Sequence, residues 1–187
     1  MQRSLVGSEM CIRDRLYPDI SFELFEYGSI RAANMVQEGK LDLALVNMHF
    51  YEIDKLNSFT VMNDKIVFCV SKSHPLAKCH EVTIEMIKNE PLIMYNTDSV
   101  QNETLDTAFK RAGVNPNVIL HASQLYTIRN FICNNLGGAF LYSSLQKNLS
   151  GTTGIPISPV INQNIGIVWK KGSYTTDSAE KLSLIHI

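Results

Sequence analysis

The run Gly39-Lys40-Leu41-Asp42-Leu43-Ala44-Leu45-Val46 constrains the fold more than any other stretch of the chain. A glycine is the usual left-handed residue just beyond a helix end. The near-continuous apolar run behind it has the composition of a central parallel strand covered on both faces. Upstream, Ile20, Phe22 and Leu24 alternate with Ser21 and Glu23 at the strand period. Ser29 then stands where a helix cap belongs, and Ile30, Ala33 and Val36 share one stripe of the helix that follows. Strand, helix and strand at this spacing imply a right-handed parallel crossover and hence an α/β unit.

Four motifs occur in a recognisable order: Tyr17-Pro18-Asp19-Ile20, Gly39 to Leu45, His74-Pro75-Leu76-Ala77, and Asn135-Leu136-Gly137-Gly138-Ala139-Phe140-Leu141. In this order and spacing the chain, over about residues 16 to 181, resembles the effector-binding (substrate-binding) domain of LysR-type transcriptional regulators. One departure is Tyr142, where that family often carries proline. The resemblance implies an α/β, two-lobed, periplasmic-binding-protein type II-like fold, each lobe a mixed sheet flanked by helices, with two crossover segments. Residues 16–66 and 150–181 would form the first lobe, and residues 67–149 the second. Residues 1–15 and 182–187 do not fit the family. Ser4 to Arg15 and Leu182 to Ile187 resemble translated adapter read-through, so the chain is expected to be a fragment lacking the winged helix-turn-helix that the resemblance implies.

The second lobe can be followed through its punctuation. Leu56 to Asn63 and Lys65 to Ser71 read as extended segments around Asn63-Asp64, and Pro91 to Tyr95 as a short buried strand. Leu105, Ala108, Phe109 and Ala112 form a helical stripe closed by Gly113. Val118 to Leu120 is a further strand. Ser123 is placed to cap a helix with Leu125, Ile128 and Ile132 inward, and Gly137 to close it before a strand at Ala139 to Leu141. Thr152 to Ile157 and Asn164 to Lys170 are expected to be strands returning to the first lobe.

Open α/β sheets bind ligands at the carboxyl ends of their strands. Two polar strand-to-helix loops qualify, Asn96-Thr97-Asp98-Ser99 and Ser123-Gln124. Their amides and hydroxyls suit a carboxylate or another small anion. The same residues also suit plain capping, with Asp98 and Gln101 spaced as a capping box. Asn47 ends the Leu-Asp-Leu-Ala-Leu-Val strand and is the first-lobe candidate. The expected ligand-binding set is therefore Asn47, Asn96, Thr97, Ser99, Ser123 and Gln124, facing a small-molecule effector that could be anionic.

Lys and Arg number 17 against 18 Asp and Glu. With no basic surplus, DNA binding is expected only through the missing N-terminal domain. No apolar run long enough to span a bilayer is present, and a cytoplasmic location is the default. Four cysteines at 11, 69, 79 and 133 include no CxxC pair, so reduced thiols are expected. No GxSxG, HExxH or P-loop motif supports catalysis. His74, Cys79 and His80 lack the spacing of a zinc site, and neither metal nor cofactor is expected. A homodimer is implied by the resemblance. The two-lobed plan is shared by transporter solute-binding proteins, which form the alternative reading.

Overall fold

The computed structural model describes residues 23–49, 55–97 and 99–172. The expectations for both ends, for Tyr17 to Ile20 and for Asp98 fall outside these residues. Helix α1 (Ser29–Gln37) buries Ala32, Ala33 and Val36 against Val46, Leu56 and Val168. Ala33 and Val36 fall on the stripe the apolar spacing predicts, but Ile30 is only half-buried and Ala32 takes its place in this core. Gly39 follows at φ 73°, with its N–H on the Val36 carbonyl at 3.0 Å. A Cβ added there would meet nothing closer than Lys170 Nζ at 3.9 Å, so the requirement is one of backbone conformation. Gly39→Ala is therefore expected to lower stability by about 1 kcal/mol, and Gly39→Asn by less, as equilibrium denaturation would show.

Ser29 does not cap this helix: Gly28 is the N-cap and has no side-chain cap bond. Instead the Ser29 hydroxyl accepts the Asn47 N–H at 3.0 Å. Strand β1 (Leu43–Asn47) also differs from expectation. Its described partner is the antiparallel β8 (Asn162–Lys170), and Leu45 is 65% exposed. The apolar run correctly marks a strand, but the strand is not covered on both faces. Glu23 and Leu24 form no strand, and Ile20 to Phe22 are outside the described residues.

The two extended segments around Asn63-Asp64 are one strand, β2 (Leu56–Ser71), with a register shift between Thr60 and Met62. Residues Leu56 to Lys65 pair with β8. From Ile66 onward the strand lies between β6 (Gly138–Tyr142) on one side and β7 (Thr152–Ser158) on the other, both antiparallel to it. Strand β7 therefore does not join β1 and β8 as expected, and β8 makes the return. Beyond β6 lie β4 (Leu92–Met94) and β5 (Val118–His121), each step parallel; the two-residue β3 (Val82–Thr83) pairs with β7.

Side-chain alternation along β2 explains the two cores of this sheet. Ile66, Phe68 and Val70 pack with Leu105 and Phe109 of helix α2 (Val100–Arg111), while Val67 and Cys69 pack with Ile128 and Ile132 of helix α3 (Leu125–Cys133). Gln124, with no side-chain bond, is the N-cap of α3, so Ser123 is not its cap. The left-handed residue after α3 is Asn135, at φ 54°, rather than Gly137. Gly137 is required for a different reason. A Cβ there would lie 2.7 Å from the Pro91 carbonyl oxygen.

Candidate functional site

Because β6, β4 and β5 run parallel, their carboxyl ends open on one edge of the sheet. The loop after β4 and the loop after β5 are tied together there. The Ala122 N–H donates to the Met94 carbonyl at 3.0 Å, and His121 Nδ1 lies 3.0 Å from the Tyr95 carbonyl. Asn96, Thr97, Ser123 and Gln124 are exposed on these loops, and Ser99 is half-buried. The strand arrangement thus brings five of the six expected residues to one edge.

Helix α2 starts at this edge. Its cap is Ser99, whose hydroxyl accepts the Asn102 N–H at 3.1 Å. Gln101 does not complete a capping box; its Nε2 donates to the Phe140 carbonyl at 2.7 Å. The Ser99 side chain takes only one of the amides that a helix start leaves over.

Asn47 reaches the same edge from β1 and is 5% exposed. Its Nδ2 donates to the Tyr142 hydroxyl at 2.8 Å and to Gln163 Oε1, while its Oδ1 accepts the His49 N–H at 2.9 Å. Both amide protons are spent within the protein, so this side chain holds elements together first. Tyr142 ends β6, and the helical turn α4 (Ser143–Gln146) follows it. Asp64 Oδ2 accepts from both the N–H and the hydroxyl of Ser144.

Two half-buried phenols lie near the ends of β4 and β6, Tyr95 against the α3 side of the sheet and Tyr142 against the α2 side. Burial pushes the Tyr95 phenol up to about 12, with further contributions from Tyr142 and Cys69. Tyr142 is also raised by burial, opposed by its bond to Asn47 and reinforced by Asp64. Both are neutral hydroxyls near neutral pH. Tyr95, Tyr142, Gln163 and Asp64 were not among the expected residues. Tyr142 had a signal, as a departure from the resembled family; Gln163, wholly buried in a strand, had none.

A concavity of about 440 Å³ runs along α1, between Gly28 and Lys40, and shares no residue with this edge. Its charges are engaged locally. Lys40 pairs with Glu38 at 2.6 Å, and the Arg31 guanidinium lies 4.6 Å from the centre of the Tyr27 ring. The histidine of the His74-Pro75 turn is likewise structural: Nδ1 accepts the Leu76 N–H, and Nε2 lies 3.3 Å from Glu90. Among the described residues no group of three or more His, Cys, Asp or Glu side chains could hold a metal ion.

The family model of the LysR substrate binding domain matches residues 14–183. The HTH-type transcriptional regulator YwbI of Bacillus subtilis is 32% identical over 166 residues, covering 87% of this chain and 55% of that protein. CysB of Haemophilus influenzae is 30% identical over 127 residues, covering 68% of this chain and 39% of that protein. The chain thus spans about half or less of the length of these curated relatives. Among solved structures, the regulatory domain of Synechocystis CcmR in complex with 2-PG superposes with a TM-score of 0.86 at 19% identity, covering 97% of this chain and 89% of that one. The effector-binding domain of QuiR in complex with shikimate gives 0.81 at 17% identity, covering 100% and 90%. The mixed sheets, their two helical faces and the extent of the family match together show that this chain belongs to the LysR substrate-binding domain family.

Proposed function

We propose that the chain is the ligand-sensing part of a bacterial LysR-type regulator, taking a small-molecule effector at the carboxyl edge of β4, β5 and β6. The observation that carries this reading is the bonding of Met94 and Tyr95 to Ala122 and His121, which holds the roots of the loops bearing Asn96, Thr97 and Ser99 and Ser123 and Gln124 together at that edge, with Asn47 arriving from β1. Thr97 and Ser123 supply exposed hydroxyls. The start of α2 supplies amides that the Ser99 cap does not use, a suitable seat for a carboxylate or phosphate. Asn47 contributes chiefly by holding β1 against β6.

Binding would act by population shift. An effector with greater affinity for one arrangement of the two sheet regions favours that arrangement, each tenfold preference counting for about 1.4 kcal/mol. A homodimer would carry the change to DNA-binding domains elsewhere in the full-length protein. Sedimentation at tens of micromolar checks the dimer, and a persistent monomer opposes it.

The pocket is tested by a thermal-shift screen of small carboxylates, phosphates and polyols, 2-PG and shikimate among them, followed by calorimetry on the best compound. Thr97→Ala and Ser123→Ala should each weaken binding by about 0.5–1.5 kcal/mol for a neutral contact and about 1.5–3 for a charged one. Neither should change stability appreciably, since neither residue caps a helix. Ser99→Ala, by contrast, should lower stability by about 1 kcal/mol through loss of the α2 cap. Unchanged affinity in both the Thr97 and Ser123 variants would remove this edge as the pocket.

A further inference from the structure

The two sheet regions are joined by β2 and, beside it, by the link from β7 into β8, where the Ile66 N–H donates to the Ile161 carbonyl, and the junction is where β2 changes partners. Lys65 is the last β2 residue paired with β8, opposite Asn162, and Ile66 is the first paired with β6, opposite Tyr142. Two adjacent strands resist sliding but can twist and bend together, so a strand pair alone leaves the angle between the regions soft. Asn47 lies outside this pair. It belongs to β1, opposite Ile165 of β8, yet it reaches across 95 residues of sequence to the hydroxyl of Tyr142 at the end of β6. Its second amide proton goes to Gln163, which sits within the β8 part of the junction opposite Asp64, is 0% exposed, and donates its own Nε2 to the Asn162 carbonyl. Asp64, on the β2 side, fastens the junction to Ser144 just beyond Tyr142.

We propose that the Tyr142–Asn47–Gln163 chain is an off-axis latch setting the angle between the two sheet regions, which makes Tyr142 a positioning residue for the effector edge. The ring of Tyr142 packs on the core and the hydroxyl does the fastening. A bond away from the hinge restrains rotation about it far more than a bond on the axis, because the same rotation moves the outlying atoms further. Opening the latch leaves Asn47 able to turn its amide toward a ligand that reaches the edge, so an effector offering an acceptor competes with Tyr142 for the same proton. The consequence for affinity rests on the effector reading above; the latch itself does not.

The test reads the angle directly and needs no effector. Nitroxides are placed at exposed Asp42→Cys, beside β1, and exposed Lys88→Cys, beyond β3, in the full chain with Cys11, Cys79 and Cys133 replaced by serine and buried Cys69 retained. Pulsed electron–electron resonance then gives the distance distribution. Tyr142→Phe, which removes only the hydroxyl, should broaden or displace that distribution beyond its wild-type width. Tyr95→Phe removes a neighbouring phenol outside the chain and should leave it unchanged. Asn47→Ser cuts the same bond from the other side and replaces Tyr142→Phe if that variant does not fold. An unchanged distribution in the latch variants, an equal change in Tyr95→Phe, or failure of both latch variants to fold overturns the proposal. Calorimetry with a compound from the screen reads the separate effector claim, which can fail while the distance result stands.

Discussion

Truncation of Phe140 to alanine is expected to lower the unfolding free energy by about 3–5 kcal/mol, the range for a large aromatic removed from a packed core. Phe140 is 1% exposed on β6. Its ring centroid lies 5.3 Å from that of Phe68 on β2 and 6.0 Å from that of Phe109 on α2, the latter pair edge to face. The residue is therefore one of the contacts that hold the helix against β2 and β6. Both aromatic pairs are lost together, each worth about 0.5–1.5 kcal/mol beyond its buried area. Against a typical domain stability of about 5–15 kcal/mol, the variant should be marginal at 25 °C. Urea denaturation measures the loss. Phe140→Leu, which keeps most of the volume, should recover a large part of it, and a loss below about 1 kcal/mol for the alanine would mean that the core closes over the gap.

Alkaline pH should destabilise the fold steeply. Burial raises Cys69 from 9.0 to about 12, opposed by a backbone bond involving Leu141, and raises Tyr95 from 10.0 to about 12. In each case the folded state favours the neutral form. Below the unfolded-state values both states are protonated and the stability is fully present. As pH rises through about 9 for the thiol and about 10 for the phenol, the unfolded chain ionises first. Stability then falls until the folded groups ionise near 12. The folded state holds the extra protons, so the slope of unfolding free energy with pH is negative, by up to about 1.4 kcal/mol per pH unit for each group. The loss should reach about 3 kcal/mol for Tyr95 alone near the upper end. Urea midpoints at about pH 8 and about pH 11 measure it. Cys69→Ala should flatten the early part of the decline and Tyr95→Phe the later part; parallel curves in all three proteins would contradict the assignment.

Local periodicity proved legible wherever one chain segment decides its own burial. Ala33, Val36, Leu105, Phe109, Ile128 and Ile132 all lie inward on their helices as their spacing implies. Caps were less legible, because a one-residue shift changes the role of a serine. Ser29 lies one place inside its helix and serves Asn47, while Ser99 caps where an Asp98–Gln101 box was expected. Strand partners were not legible at all from composition. The apolar run ending at Val46 announces a strand but cannot say that β8 lies beside it or that Leu45 faces outward.

The candidate edge was readable to the same extent. The polar loops after β4 and β5 follow from sequence order, since parallel strands put their carboxyl ends together. The Tyr142–Asn47–Gln163 chain joins residues 95 and 116 positions apart, and no local pattern encodes such a meeting.

Strand β2 also dictates when different parts of the molecule can form. Its second half finds β6 and β7 by residue 158, whereas its first half and β1 are paired with β8, which ends at Lys170. During synthesis the β2–β6–β4–β5 region, with α2 and α3, can close while the first half of β2 and all of β1 still lack this described partner. Those segments then expose open edges and, at Val46 and Leu56, apolar side chains that are buried together with Val168 once β8 emerges from the ribosome. Contacts of such long sequence separation are the slow ones to close, so the interval before β8 arrives is when the nascent chain is most open to misassociation and to capture by chaperones.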